Sequence, residues 1–262
     1  MTRHLCVMLT LGLVVGCAAR TDRSPASAVE PTPDWSTAKG RHGTQLQLAE
    51  SLIDLGRTRE AMTLLATLRQ DSDKPELEVD VLYARATLKM GMAGESAAIL
   101  EPWLDHPPRD ADFHALLGLV RFDQAQLDDA EVAFVRAIEL DAGHFDAHNN
   151  LGFLLLGSDR PQPAIQHFRS ALAVRPNDPR ARNNLGFALA AAGKEREALE
   201  VFRAINPESQ ALSNMGLACE RGGELDDAIA WYNRALERDP AHATAAAAIQ
   251  RLQASSEGAT PP

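Results

Sequence analysis

Three asparagines, Asn150, Asn184 and Asn214, recur at intervals of 34 and 30 residues, and each stands two residues before a glycine. A side-chain amide carries two N–H donors and one carbonyl acceptor, so it can pair with a peptide group of an extended ligand. Held in a row, three such amides would grip a backbone with little regard to its side chains; left as plain surface residues they would grip nothing. Other reactive types are sparser. His144 and His148 have the i, i+4 relation that puts two imidazoles on one helical face, but no third ligand is spaced to join them, so no metal is expected. Cys219 has no histidine spaced to activate it and reads as a buried, inert thiol. Asp128, Asp129, Glu195, Glu197, Asp226 and Asp227 cluster where helices begin, and there carboxylates suit the helix dipole without any acid–base role. No G-x-S-x-G, H-E-x-x-H or phosphate-cradling Gly-rich loop occurs. Neither an enzyme nor a cofactor is expected.

The 262 residues carry 26 Lys+Arg against 36 Asp+Glu, a formal charge of −10, with 45% hydrophobic residues. That balance is globular rather than disordered. An acidic chain without a basic cluster is repelled by phosphate backbones, which argues against nucleic acid as the main partner. Three Cys make no disulfide framework.

Leu5 to Val15 form a mostly apolar run behind Arg3, too short to span a bilayer but of the length of a signal-peptide core. The stretch Val14-Val15-Gly16-Cys17 resembles the bacterial lipobox. The resemblance implies a signal peptide over 1–16, cleavage after Gly16, and a diacylglycerol thioether on Cys17 with a further acyl chain on its amine. Each buried CH₂ contributes roughly 0.8 kcal/mol, so such an end holds firmly to a membrane. Removal of Arg3 with the leader makes the mature body still more acidic, so lipid rather than charge must do the anchoring. Cys6 would leave with the leader and Cys219 would remain as the one free thiol. Residues 17–41 are rich in Ala, Ser, Thr and Pro without apolar period, the composition of a tether whose reach is roughly 25 Å. Trp35 is its one large apolar group.

Beyond the tether the chain repeats. Gly118, Gly152 and Gly186 lie 34 residues apart, and Gly216 follows after 30. Twelve residues after each comes Ala130, Ala164, Ala198 or Ala228, and four further on Phe134, Phe168, Phe202 or Tyr232. Ala137, Ala171 and Ala235 follow, with Ile205 in the third copy; Pro176 and Pro240 close two units. Weaker copies precede them: Ala49, Gly56, Ala61 and Leu65, then Ala84, Gly91, Ser96 and Leu100. Small residues let two helix backbones approach, and large apolar ones fill the space beside them. This pattern resembles the tetratricopeptide repeat, a pair of antiparallel helices. The resemblance implies an all-α, right-handed α-solenoid of about six helix pairs over 42–242, with units near 42–76, 77–110, 111–144, 145–178, 179–208 and 209–242. Residues 243–262 read as a capping helix, offering Ile249 and Leu252, and a tail disordered after Ser255. Ala204-Ile205-Asn206-Pro207 should stop one second helix early and change the pitch of the superhelix.

In this family the first helix of each pair lines the concave face, and Asn at the place of Asn150, Asn184 and Asn214 holds extended peptides. The resemblance carries that role to these three residues. Gln47, Leu82 and Leu116 hold the same place in the first three units, so the ladder is confined to the last three, with Gln47 an outlier. Asn149 and Asn183 lie about 100° round the helix and read as solvated. Phe153 and Phe187, three residues beyond ladder asparagines, either floor the groove or pack between repeats.

Repeats behind a lipobox resemble pilotin-type lipoproteins that assist assembly of the type IV pilus secretin, and lipoproteins of tight-adherence pilus systems. That implies a lipid-anchored scaffold at the outer membrane facing the periplasm, Ala18 after the lipidated Cys favouring that sorting, with a secretin or pilus subunit as partner. Scaffolds for gliding motility or polysaccharide export, and a regulatory adaptor of an envelope protease or cell-wall hydrolase, stand as alternatives.

Overall fold

A computed structural model describes residues 38–71, 76–105 and 107–257. The apolar leader, Cys17, Trp35 and the last five residues lie outside them. Every element among the described residues is helical. The chain divides into two compact units, one ending at Leu140 and the other beginning at Asp141.

The first unit contains α1 (Ala38–Asp54), α2 (Thr58–Asp71), α3 (Leu77–Lys89), α4 (Ala93–Leu100), a 3₁₀ turn over Glu101–Trp103, α5 (Ala111–Asp123) and α6 (Leu127–Leu140). The second contains α7 (Phe145–Gly157), α8 (Pro161–Val174), α9 (Pro179–Ala191), α10 (Glu195–Arg203), α11 (Glu208–Gly222), α12 (Leu225–Arg238) and α13 (Ala243–Glu257). The helix α1 thus starts inside the segment read as tether, and α13 continues past Ser255.

Three of the first helices, α5, α7 and α9, are entered through a polar side chain that caps them. Asp110 accepts from the amide of Phe113 at 2.7 Å, Asp178 from that of Ala181 at 2.9 Å, and His144 Nδ1 from that of Ala147 at 3.1 Å. Each satisfies one of the amides that a helix start leaves without a partner. The turn inside each pair is just as regular. Gly56, Gly91, Ala125, Asp159, Gly193 and Gly223, each seven residues after the small residue of its first helix, all have positive φ. Glycine enters that region freely, whereas an alanine there carries steric strain.

Pairs close by a small residue receiving a ring. A Cβ on Gly118 would stand 2.5 Å from Phe134 Cδ1 and Cε1, and one on Gly152 2.8 Å from Phe168 Cε1. Gly186 and Gly216 meet Phe202 and Tyr232 in the same way. The first two pairs reach closure differently: Ala49 and Ala84 replace the glycine, Leu65 and Leu100 replace the ring, and all four are fully buried. Ser96 also donates its hydroxyl to the Ala84 carbonyl at 2.8 Å, a direct sign of close backbones.

Two irregular pairs have local causes. In the first unit Pro102 follows α4, and Trp103 turns inward to donate Nε1–H to Asp80 at 2.9 Å. Asp80, 2% exposed, also holds Arg69 Nε at 2.6 Å, so this buried carboxylate is paired on both oxygens. In the second unit α10 has nine residues where α8 and α12 have fourteen. Asn206 caps its end through the Phe202 carbonyl at 3.0 Å, and Pro207 opens α11. At the far end α13 buries Ala245, Ala248 and Leu252 with Tyr232 and Leu212, while Ile249 packs against that cluster half-buried.

Candidate functional site

The first helices of the second unit, α7, α9 and α11, pack in succession, α7 on α9 and α9 on α11. On them the three ladder asparagines are half-buried, and the structure joins them through residues that sequence reasoning set aside. Asn184 Nδ2 donates to Asn149 Oδ1 at 3.2 Å, and Asn214 Nδ2 donates to Asn183 Oδ1 at 3.3 Å. The same diagonal pairing therefore ties α9 to α7 and α11 to α9. Asn149 and Asn183, read as solvated from their position on an isolated helix, are the acceptors of this network. Asn149 is only 6% exposed. The correction has a simple cause: the neighbouring first helix covers the flank that the isolated helix would leave in water.

Asn149 Nδ2 donates onward to Asn150 Oδ1 at 3.4 Å, and Gln210 Nε2 donates to Asn214 Oδ1 at 2.9 Å. These bonds fix the amide orientations and still leave capacity. Asn184 keeps one N–H and its oxygen, Asn214 keeps one N–H, and Asn150 keeps its amide nitrogen, each without a further partner among the described residues. In the first unit Leu82 and Leu116 are buried and Gln47 is exposed.

Phe187 packs between repeats. It is 8% exposed, its ring meets Phe202 edge-on at 5.1 Å, and the Arg221 guanidinium lies over its other side at 4.4 Å. Phe153 is half-buried.

His144 and His148 do not converge on a ligand. His144 is the helix cap already described, and His148 Nε2 lies 3.1 Å from the Ala142 carbonyl. The imidazole that meets His148 is His167 on α8, Nδ1 to Nδ1 at 3.0 Å. Every one of these contacts is made when His148 donates from Nε2 and accepts at Nδ1 from His167. The partner lies 19 residues away across the helix hairpin, so no local spacing rule flags it. Among the described residues no cluster of three or more His, Cys, Asp or Glu could hold a metal ion. Cys219 is 5% exposed in the α11–α13 cluster, and burial pushes its thiol up to about 11, away from nucleophilic character.

Comparison with known proteins agrees with this architecture. Sequence profiles of the tetratricopeptide repeat match residues 155–215 and 209–242. A stretch of 129 residues, 47% of the chain, is 32% identical to superkiller complex protein 3 of Mus musculus, and an equal stretch matches the Homo sapiens protein. The chain spans 8% of the length of these relatives. Among solved structures, YrrB, described as a TPR protein with an unusual peptide-binding site, is 20% identical with a TM-score of 0.55, over 71% of this chain and 97% of that one. The Cut9–Hcn1 assembly of the APC/C gives a TM-score of 0.60 at 15% identity, over 80% of this chain and 42% of that one. The helix pairs between residues 155 and 242 are thus tetratricopeptide repeats, and the described residues share the all-helical fold of these structures.

Proposed function

We propose that this chain is a lipid-anchored scaffold that grips an extended segment of a partner protein along Asn150, Asn184 and Asn214, and so assists assembly of a bacterial envelope machine. The machine we infer is a type IV or tight-adherence pilus, with an outer-membrane secretin or pilus subunit as the partner. One observation carries the groove: successive first helices hold their amides in a fixed network with N–H groups left over. Amides oriented before the ligand arrives lose little freedom on binding, which favours affinity for a featureless backbone. YrrB lends a precedent for peptide binding on this fold. For the anchor, the apolar run ending at Cys17 is the support, and its envelope location follows from the lipid. The reading assigns no catalytic residue and no cofactor.

Changing Asn150, Asn184 and Asn214 together to Ala should abolish co-purification of the partner from detergent-solubilised membranes while far-ultraviolet circular dichroism stays unchanged. Undiminished recovery of the partner would dismiss the ladder. Deleting the gene should remove secretin multimers from membranes, and normal multimers with normal pili would end the pilus assignment. Cys17→Ser should move the protein from the membrane pellet to the soluble fraction; continued sedimentation would refute the anchor.

A further inference from the structure

One polar position on the first helices recurs outside the row of asparagines. His114, His148 and Arg182 stand 34 residues apart, each four residues before its glycine. Each reaches back six residues, across the loop that enters its own helix, to a backbone carbonyl: His114 Nε2 to Pro108 at 3.0 Å, His148 Nε2 to Ala142 at 3.1 Å, and Arg182 Nη2 to Pro176 at 2.8 Å. The same clasp thus closes the entries of α5, α7 and α9. In α11, behind the shortened pair, this place falls to Leu212, which is buried and has no donor to offer. A carbonyl only accepts, so both imidazoles must carry a proton on Nε2. The clasps therefore differ in chemistry: a guanidinium keeps its protons, whereas an imidazole changes state at about pH 6.5.

His114 and His148 are 7% and 6% exposed, and with Nε2 occupied any further proton must go to Nδ1. Nδ1 of His114 has no hydrogen-bond partner among the described residues, and Phe113 stands edge-on to the ring at 5.3 Å. The helices α3, α4 and α6 pack against α5, and of the charges around the ring Arg136 of α6 and Asp110 at the cap act on it. Burial first, then Arg136, holds this group below the usual imidazole range against the Pro108 carbonyl and Asp110. His148 Nδ1 faces His167 Nδ1 at 3.0 Å, a gap that admits one proton. The pair can hold three protons, one on each Nε2 and one shared, and so carries a single positive charge; a fourth sets N–H against N–H. The helices packed on α7 bring Arg169 in α8 and Arg180 and Arg182 in α9, and neither contains an Asp or Glu. The acid of α7, Asp146, faces Arg175 and Arg180, and its cap is His144. Nothing on α8 or α9 offsets a second imidazolium. We propose that His114 and His148 are acid-released clasps on the entries of α5 and α7, while Arg182 keeps the entry of α9 closed. An opened entry leaves its rings in water, where they bind protons at the ordinary value. The clasps thus hold fully above about pH 6.5 and are lost as pH falls below it.

Hydrogen exchange of the full-length chain in detergent, at about pH 7.5 and about pH 5 and corrected for the intrinsic pH dependence of exchange, reads each entry by itself. The reporters are the amides of His114, His148 and Arg182, which donate to the carbonyls of Asp110, His144 and Asp178 in the first turn of each helix. On acidification the first two should lose about tenfold of their protection, the scale of one proton refused over a pH unit, and the third none. His114→Gln, whose amide N–H replaces the ring donor without titrating, should abolish the loss at α5 alone. His167→Gln should abolish it at α7 alone, because a Gln side chain can accept from His148 as well as donate to it. That arm also separates the clasp from protonation of the His144 cap, which it leaves unaltered. The contrast of α5 and α7 with α9 is read on the wild type, so a variant that fails to fold leaves the test intact. Equal loss at all three entries, or protection kept at α5 or α7, would overturn the proposal, as would a response that survives its glutamine variant. None of these outcomes depends on whether the asparagines bind a peptide.

Discussion

Gly118→Ala tests the packing rule on which all the pairs depend. The added methyl carbon would stand 2.5 Å from two ring carbons of Phe134 and 3.0 Å from a third, where ordinary contact begins at 3.4 Å. The ring is 1% exposed and has nowhere to go, so either it or α5 must shift by most of an ångström. Overpacking of this kind costs about 1–3 kcal/mol. Replacing a helical glycine returns about 1 kcal/mol of backbone entropy, leaving a net loss of up to about 2 kcal/mol. Gly43→Ala in α1, where a Cβ meets nothing within 4 Å, receives only the gain and should stabilise. The same unit already contains the alternative solution, Ala49 with Leu65 and Ala84 with Leu100. Gly118→Ala combined with Phe134→Leu should therefore be more stable than the sum of its parts by at least about 1 kcal/mol, measured as a double-mutant cycle. Urea unfolding followed by far-ultraviolet circular dichroism gives the midpoints, with slopes checked because repeat arrays can unfold in steps. A Gly118→Ala midpoint at or above the wild type, or strict additivity in the cycle, would refute the reasoning.

Two further outcomes follow from local geometry. Ala125, at φ 59° where four equivalent turns have glycine, should gain about 1 kcal/mol on replacement by Gly, because relief of left-handed strain exceeds the added entropy of the unfolded chain; a lower urea midpoint would contradict this. Cys219 rises from 9.0 to about 11 in the folded chain. Its contribution is complete while the thiol is protonated in both states, and it is lost as pH climbs from 9 toward 11, because the unfolded chain then releases the proton first. The stability difference between wild type and Cys219→Ala should shrink across that window, and a difference that stays flat would show that the thiol is not held as described.

On α7, α9 and α11, periodicity and packing each account for a different part of the row of asparagines. Asn150, Asn184 and Asn214 were legible because a repeat puts equal positions on equal faces, whatever the intervening side chains do. That Asn149 and Asn183 are their partners was not legible. A helical wheel assigns faces to one helix, and burial of this flank depends on the distance and tilt of the next. Phe187 makes the same point, since its ring settles between Phe202 and Arg221 rather than at an open groove floor. The His148–His167 contact and the Trp103–Asp80–Arg69 cluster join residues from different helices, with no spacing signature. The left-handed turn at Ala125 and Asp159 was hidden as well, since the glycine that marks the position in other pairs is absent there.

The helix pairs follow from order along the chain. The small residue, the ring and the closing proline recur at fixed offsets, and each offset is a statement about which helical face meets the next turn, so sequence alone determined the all-α repeat. Tertiary packing decided the state of individual polar groups: which amide is already bonded across helices, and which carboxylate is buried and paired. Periodicity specifies direction around a helix axis, whereas hydrogen bonds and desolvation depend on separations of a few ångströms between helices.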